Sequence, residues 1–117
     1  MLVSLIWEQV TVDSIAPVDL GRWWCAALGW IVVNDDPDVF EIRPDVDQVP
    51  GLLFLRSADA KTTKNRIHID LRPDDRDAEV DRLVELGASR IDVGQGNASW
   101  VVLADPEGNE FCVLSSR

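Results

Sequence analysis

The feature that most constrains this fold is an internal repeat, in which one strand, one helix and three strands occur twice in the same order. Runs that alternate between apolar and polar residues predict the first strand of each copy, at residues 5–12 and 66–71. Leu28-Gly29, at the end of the first helical segment, recurs 58 residues later as Leu86-Gly87. The remaining predicted strands cover residues 30–33, 39–43, 52–56, 89–93, 99–104 and 110–114. Because each copy is too small to bury its own sheet, the two sheets are expected to close against each other.

Two segments have the apolar spacing of helices. The first covers residues 17–28 and starts with Pro17, which suits a first helical turn because the N–H it lacks would be unpaired there. The second covers residues 75–86, with Asp74 as its expected N-cap. This order predicts an α+β fold of two tandem βαβββ modules, with mixed sheets curled around a central cleft and helices outside. The expected organisation is a single domain over residues 1–117, with module one at about 1–58 and module two at about 64–117.

The charge balance disfavours two classes of partner. The chain has 21 acidic and 11 basic residues and a formal net charge of −10, which repels nucleic acid and anionic membranes. No stretch is long and apolar enough for a membrane helix, and the amino terminus lacks the cationic region of a signal peptide. We therefore expect a cytoplasmic protein in which Cys25 and Cys112 are reduced thiols.

Strand alternation predicts two different faces. In the strand before each helix and the strand that ends each module, one face is aliphatic and is expected to pack against the helices: Ile6, Val10, Val12, Leu53, Leu55, Ile67, Ile69, Leu71, Phe111 and Val113. The other face is mixed: Trp7, Gln9, Thr11, Leu52, Phe54, Arg56, Arg66, His68, Asp70, Glu110, Cys112 and Leu114. A ligand cavity explains this mixture better than a second core, because buried polar groups need partners. A solvated outer face is the alternative.

Three segments resemble the vicinal oxygen chelate superfamily, which includes glyoxalases, bleomycin resistance proteins and extradiol dioxygenases. They are residues 23–30 (Trp-Trp-Cys-Ala-Ala-Leu-Gly-Trp), 105–111 (Asp-Pro-Glu-Gly-Asn-Glu-Phe) and 61–71, the last of which looks like a glyoxalase-like domain subgroup. The resemblance covers nearly the whole chain. It implies the fold more specifically than the function, since this scaffold supports several chemistries.

In metal-dependent members, the resemblance implies one ligand in each strand before a helix and one in each module's last strand. Carried over by motif, these positions are Gln9, Phe54, His68 and Cys112. Phenylalanine cannot bind a metal, and the remaining set lacks the carboxylates that hard cations prefer. No metal cofactor is therefore expected. If an ion does bind, zinc on Gln9, His68 and Cys112 is the alternative, with Glu110 as a substitute ligand.

His68 is the single histidine and the best catalytic candidate, since its ordinary pKa lies near neutrality. Asp70 shares its face, but a separation of two strand residues favours a distance too long for Asp70 to orient the ring. Cys112 could act as a nucleophile if His68 lay beside it. Lys61, Lys64 and Arg66 form a basic cluster between the modules, interpreted either as exposed linker charges or as an anion-holding or subunit-contact loop.

These observations favour a small-molecule binding protein with an aromatic-lined cavity. The expected ligand contacts are Trp7, Gln9, Phe54, His68, Trp100, Glu110 and Cys112. A metal-dependent lyase, isomerase or dioxygenase is the alternative, and a ligand-free interaction module is a third possibility. The resemblance also implies a homodimer. The sequence does not identify the ligand or say whether the modules pair within one chain or between subunits.

Overall fold

The computed structural model describes residues 2–92, 94 and 99–116, and divides into two compact units, Met1–Ala60 and Lys61–Arg117. Each unit contains one helix and one mixed four-stranded sheet. The chain is therefore an α+β protein built from tandem modules, as the repeat predicts. The predicted strand end at residue 93 lies outside the described residues. Within the described part of the chain, no helix is long and apolar enough to cross a membrane.

The first unit has the predicted order of strand, helix and three strands. Its elements are β1 (Gln9–Ser14), α1 (Pro17–Leu28), β2 (Ile31–Asp35), β3 (Val39–Arg43) and β4 (Gly51–Arg56). The strand order in the sheet is β1-β4-β3-β2, with β1 parallel to β4 and the other pairs antiparallel. Helix α1 starts at Pro17 as predicted. It ends at Leu28 and is capped by Gly29, whose positive φ of 67° allows its N–H to donate to the Cys25 carbonyl at 2.9 Å.

Strand β1 begins four residues later than the predicted start at residue 5. The ladder to β4 reaches back to the Gly51 N–H, which donates to the Glu8 carbonyl at 3.0 Å. Pro50 precedes Gly51 and has no N–H to extend the ladder. The apolar residues before this point, Leu2, Val3, Leu5, Ile6 and Trp7, are consequently exposed.

The core of the first unit lies between α1 and its sheet. Phe40 in β3 is fully buried, and its ring packs so closely against Gly21 of α1 that a Cβ at Gly21 would overlap it. Phe54 is the cross-strand partner of Phe40 and is also fully buried. Cross-strand partners share a face, so Phe54 and Leu52 lie on the helix side of the sheet.

This placement corrects the predicted faces of β4. Phe54 pairs with Val12, whereas Leu53 pairs with Thr11, so Leu53 shares the face of Gln9. The prediction that Phe54 lies on the mixed face with Gln9 is wrong, and so is the assignment of Leu53 to the helix side. The error comes from the repeat offset: the helix ends are 58 residues apart, but the paired strands match at 59, with Leu53 corresponding to Cys112.

The second unit repeats this topology with shorter strands. Its elements are β5 (Ile69–Leu71), α2 (Arg76–Leu86), β6 (Ser89–Arg90), β7 (Val101–Ala104) and β8 (Glu110–Val113). The strand order is β5-β8-β7-β6, with β5 parallel to β8 and the remaining neighbours antiparallel. The N-cap of α2 is Asp75 and not Asp74, because the Asp75 carboxylate accepts the Ala78 N–H at 3.1 Å.

The helix side of the second sheet agrees with the predicted alternation. Phe111 and Val113 in β8 are buried, as are Val80 and Leu83 on α2, which contacts β8. Asp70 and Cys112 are cross-strand partners, and Cys112 also pairs with Val102 of β7. These three side chains therefore form one row on the face turned away from α2.

Candidate functional site

The candidate site is a concavity of about 390 Å³ on the sheet face of the second unit that is turned away from α2. Its walls come from the row Asp70, Cys112 and Val102, and from residues that precede or follow the same strands. The lining residues are Lys64, His68, Asp70, Gly94, Trp100, Val102, Glu110, Cys112 and Leu114. The structure thus brings four predicted contacts together: His68, Trp100, Glu110 and Cys112.

His68 lies immediately before β5 and contacts Asp70, with 3.2 Å between Nε2 and Oδ1. The expectation that Asp70 is too distant to orient the ring is wrong. The spacing of residues in a strand applies to the backbone, and His68 lies outside the regular strand. Its side chain spans the distance to the Asp70 carboxylate. In the tautomer that carries a proton on Nε2, this N–H donates a hydrogen bond to the Asp70 carboxylate, which orients the ring.

Cys112 is only 7% exposed and lies between Asp70 and Val102 in the row. Burial raises the pKa of the Cys112 thiol. The negative charge of Asp70, and a hydrogen bond to it, raise the pKa further, while Lys64 opposes the rise. The thiol is therefore protonated at neutral pH, which disfavours the nucleophilic role considered for Cys112 beside His68.

Glu110 is held by the connection that precedes β5. Lys61 Nζ lies 2.7 Å from Oε2, and the Asn65 backbone N–H donates to Oε1 at 2.7 Å. Burial on its own would raise the pKa of Glu110, but Lys61 and Asn65 outweigh it and the net pKa is lowered. The carboxylate stays charged, and both of its oxygens are already engaged.

The Asp-Pro-x-Gly-Asn segment positions the start of β8. The buried Asp105 carboxylate accepts the backbone N–H groups of Glu107 and Asn109, at 2.9 and 3.0 Å. The Asn109 side chain in turn accepts from the Asn65 side chain at 2.9 Å. This turn therefore ties the loop before β5 to the start of the strand that carries Glu110 and Cys112. Strand β5 starts at Ile69, three residues after the predicted start at residue 66. Its partner β8 starts at Glu110, because Asn109 belongs to the turn, so β5 has no strand partner further back.

Trp100 is 41% exposed and forms an apolar wall of the concavity with Val102 and Leu114. Sequence reasoning named Trp100 but missed Val102, although Val102 follows Trp100 at the two-residue spacing of one strand face. The same reasoning treated Lys61 and Lys64 as one cluster. The structure separates them, because Lys61 pairs with Glu110 while Lys64 lines the concavity.

The other predicted contacts lie in the first unit. Trp7 is exposed, and its indole N–H donates to the Gln9 carbonyl at 3.3 Å. Gln9 is partly buried at the start of β1. Phe54 is buried on the helix side of its sheet, so it does not present its ring on the face of Gln9.

The four metal-ligand positions implied by the resemblance do not fit a metal. Phe54 has no donor atom, and Leu53, which lies at the corresponding place in the observed register, has none either. A different set fits better. His68, Asp70 and Cys112 offer one nitrogen, one oxygen and one sulphur atom, all within 4.8 Å of one another. Zinc accepts all three donor types.

Comparison with known proteins identifies the family. The family model for the glyoxalase-like domain matches residues 9–114. The chain belongs to the glyoxalase-like domain family. A comparison with curated proteins finds no match.

Solved structures with this fold come from several branches of the glyoxalase/bleomycin resistance/dioxygenase superfamily. A family enzyme from Burkholderia phytofirmans is 16% identical with a TM-score of 0.72, and the match covers 92% of this chain and 95% of that one. Glyoxalase I from Leishmania major is 13% identical with a TM-score of 0.70, covering 96% and 87%. The bleomycin-binding protein of Streptomyces verticillus, solved with copper(II)-bleomycin, is 16% identical with a TM-score of 0.62, covering 99% and 100%. At these identities the similarity establishes the fold and leaves function to the site.

Proposed function

We propose that this glyoxalase-like protein binds a small organic molecule in the concavity of its second unit and releases it unchanged, without a metal cofactor. The observation that carries the proposal is the composition of the lining. An apolar wall of Trp100, Val102 and Leu114 is combined with the polar groups of His68 and Asp70. Such a mixture of apolar area and a few placed polar groups is typical of small-molecule sites. The bleomycin-binding neighbour provides a precedent on the same fold.

Tryptophan fluorescence tests the proposal directly. A library of aromatic metabolites and antibiotics is titrated into the wild type, Trp100→Phe and a control, Trp30→Phe, which alters a tryptophan of the first unit. We expect a saturable emission change that is lost in Trp100→Phe and kept in the control. Mass spectrometry of the released ligand should find it unchanged. A library without any saturable ligand would contradict binding, and a chemically altered ligand would contradict release without turnover.

A second candidate function, metal-dependent catalysis, is favoured by the cluster of His68, Asp70 and Cys112. These side chains could hold zinc as a three-ligand site with an open position. The bound ion would polarise a carbonyl or water oxygen in the concavity. The role of Gln9 in such a site stays a prediction, and Glu110 is a poor substitute because Lys61 and Asn65 engage its oxygens.

Cobalt(II) distinguishes the two candidates, because a cobalt–thiolate bond has a charge-transfer band in the near ultraviolet. The metal-free proposal predicts no such band at stoichiometric cobalt. A stoichiometric band that is lost in Cys112→Ser and Asp70→Asn but kept in the control Cys25→Ser would instead establish the metal site. Elemental analysis of protein purified without chelators gives an independent measure.

The homodimer and the cytoplasmic location also stay proposals. The exposed apolar residues that precede β1, which include Leu5 and Ile6, would be covered by a second copy. A solution mass measurement should give twice the chain mass, reduced to the monomer in Ile6→Glu. A monomer in the wild type would contradict this proposal. The free thiols of Cys25 and Cys112 suit a reducing compartment.

A further inference from the structure

The two carboxylates that line the concavity, Glu110 and Asp70, already contact groups that donate hydrogen bonds or carry positive charge. Glu110 is bonded by Lys61 and by the Asn65 backbone N–H. Asp70 is contacted by His68, with 3.2 Å between Nε2 and Oδ1. A cationic ligand would compete with Lys61 for Glu110 and with His68 for Asp70, so the lining favours a positive group less than its two carboxylates alone would indicate.

The lining cation Lys64 is in the opposite situation. Among the described residues, the hydrogen bond recorded for its ammonium runs to the carbonyl of the adjacent Asn65, at a long 3.5 Å. No ion pair is formed by Lys64 within the described part of the chain, although acidic residues outnumber basic ones by 21 to 11. Lys64 lines the concavity together with Cys112, and its charge opposes the rise in the pKa of that thiol. Lys64 therefore offers a positive charge that is available to a ligand.

The shape of the wall complements this charge. Trp100 presents part of its ring, and Val102 and Leu114 lie beside it in the lining. A flat apolar body gains stacking and burial against such a wall. The net charge of −10 does not prevent an anion from binding here, because distant charges are screened over about 8 to 10 Å at physiological salt.

Building on the proposed binding function, we infer that the ligand class is a planar aromatic acid. Its ring lies against Trp100, and its carboxylate or other acidic group accepts from the Lys64 ammonium. His68 and Asp70 are left to contact further polar substituents of the ligand. This inference specifies the chemistry of the ligand, which the binding proposal leaves open.

The test uses three probes of the same shape and different charge: naphthoate, naphthamide and naphthylmethylamine. Affinities are measured at physiological ionic strength from amide chemical shifts by NMR. We expect naphthoate to bind about three to ten times more tightly than naphthamide, and the amine to bind most weakly, since a partly exposed charge-assisted bond has this order of effect. Lys64→Gln should remove the preference for the acid, and Lys64→Arg should keep it.

Arg66→Gln is the matched control, because it removes one positive charge from the same loop at a residue outside the lining. It should keep the preference for the acid. Naphthamide or the amine binding at Trp100 as tightly as naphthoate would overturn the ligand class while leaving the binding function standing. A preference for the acid that survives Lys64→Gln would overturn the role of Lys64. Failure of all three probes to bind at millimolar concentrations would overturn the ligand class, and the separate library titration would then decide the binding function.

Discussion

The two units share one topology but carry different chemistry at corresponding positions. In the first sheet, Thr11 pairs with Leu53 on the face turned away from the helix. In the second, Asp70 and Cys112 form the corresponding pair, and His68 lies two residues before Asp70. The repeated backbone therefore supplies the same geometry twice, but Thr11 and Leu53 occupy in the first unit the places that Asp70 and Cys112 occupy in the second.

On the helix sides of the two sheets, it is the first unit that has the larger set of buried residues. Helix α1 buries Leu20, Gly21, Trp24 and Ala27 in addition to Pro17, whereas α2 buries Val80 and Leu83. The close approach at Gly21 lets Phe40 and Phe54 form a dense aromatic core in the first unit. The comparison suggests that the first unit contributes more to stability, while the second concentrates the polar groups of the candidate site.

The largest expected effect tests the aromatic core of the first unit. Phe54→Ala should lower the free energy of unfolding by about 3 to 5 kcal/mol, because it removes a fully buried ring and leaves a cavity. The control Leu53→Ala, on the opposite and partly exposed face, should cost about 1 to 2 kcal/mol. Chemical denaturation measures both. A greater cost for Leu53→Ala would support the face assignment predicted from the sequence over the observed one.

An intermediate effect tests the ion pair between Glu110 and Lys61 in the second unit. The corresponding strand of the first unit, β4, begins with Gly51, which has no side chain to form such a pair. Glu110→Gln should cost about 1 kcal/mol at neutral pH, because the pair with Lys61 is lost. The pKa of Glu110 is lowered in the folded state, so its contribution is fully present above about pH 5 and is lost as the pH falls through the folded pKa.

Urea denaturation of Glu110→Gln and wild type across this pH range measures the difference. The gap should close towards low pH, since the protonated wild-type side chain resembles glutamine. Glu85→Gln, an exposed change on α2, should show no comparable gap at any pH. A gap that widened on acidification would contradict the assigned direction of the pKa.

The smallest effect concerns the alkylation rate of the Cys112 thiol in the second unit. Cys112 should alkylate more slowly than a free thiol, because burial and Asp70 raise its pKa. Asp70→Asn removes the negative charge, lowers that pKa and should speed alkylation by about threefold to tenfold. Peptide mass spectrometry after iodoacetamide treatment follows each cysteine separately. Cys25 is the internal reference, and an equal acceleration of Cys25 would indicate general loosening instead of a local charge effect.

Much of the fold could be predicted because its signals are local. Pro17 and Gly29 bound α1, and alternation located every strand core in the described residues. Strand starts depend on distant residues, because β1 begins where Pro50 interrupts the ladder of its partner. The candidate site was predicted in part: His68, Trp100, Glu110 and Cys112 line the concavity, but the contact of His68 with Asp70 and the pairing of Lys61 with Glu110 were not anticipated.

The sequence by itself determined the tandem βαβββ order, the family and the alternation of side chains within each strand, since these depend on near neighbours along the chain. Only the tertiary structure decided which face of β4 meets the helix. Alternation assigns two faces but does not say which is inward, and a shift of one residue exchanges them. Tertiary pairing also decided that Lys61 neutralises Glu110 while Lys64 lines the concavity, because ion pairs between residues far apart in sequence follow from folding and not from spacing.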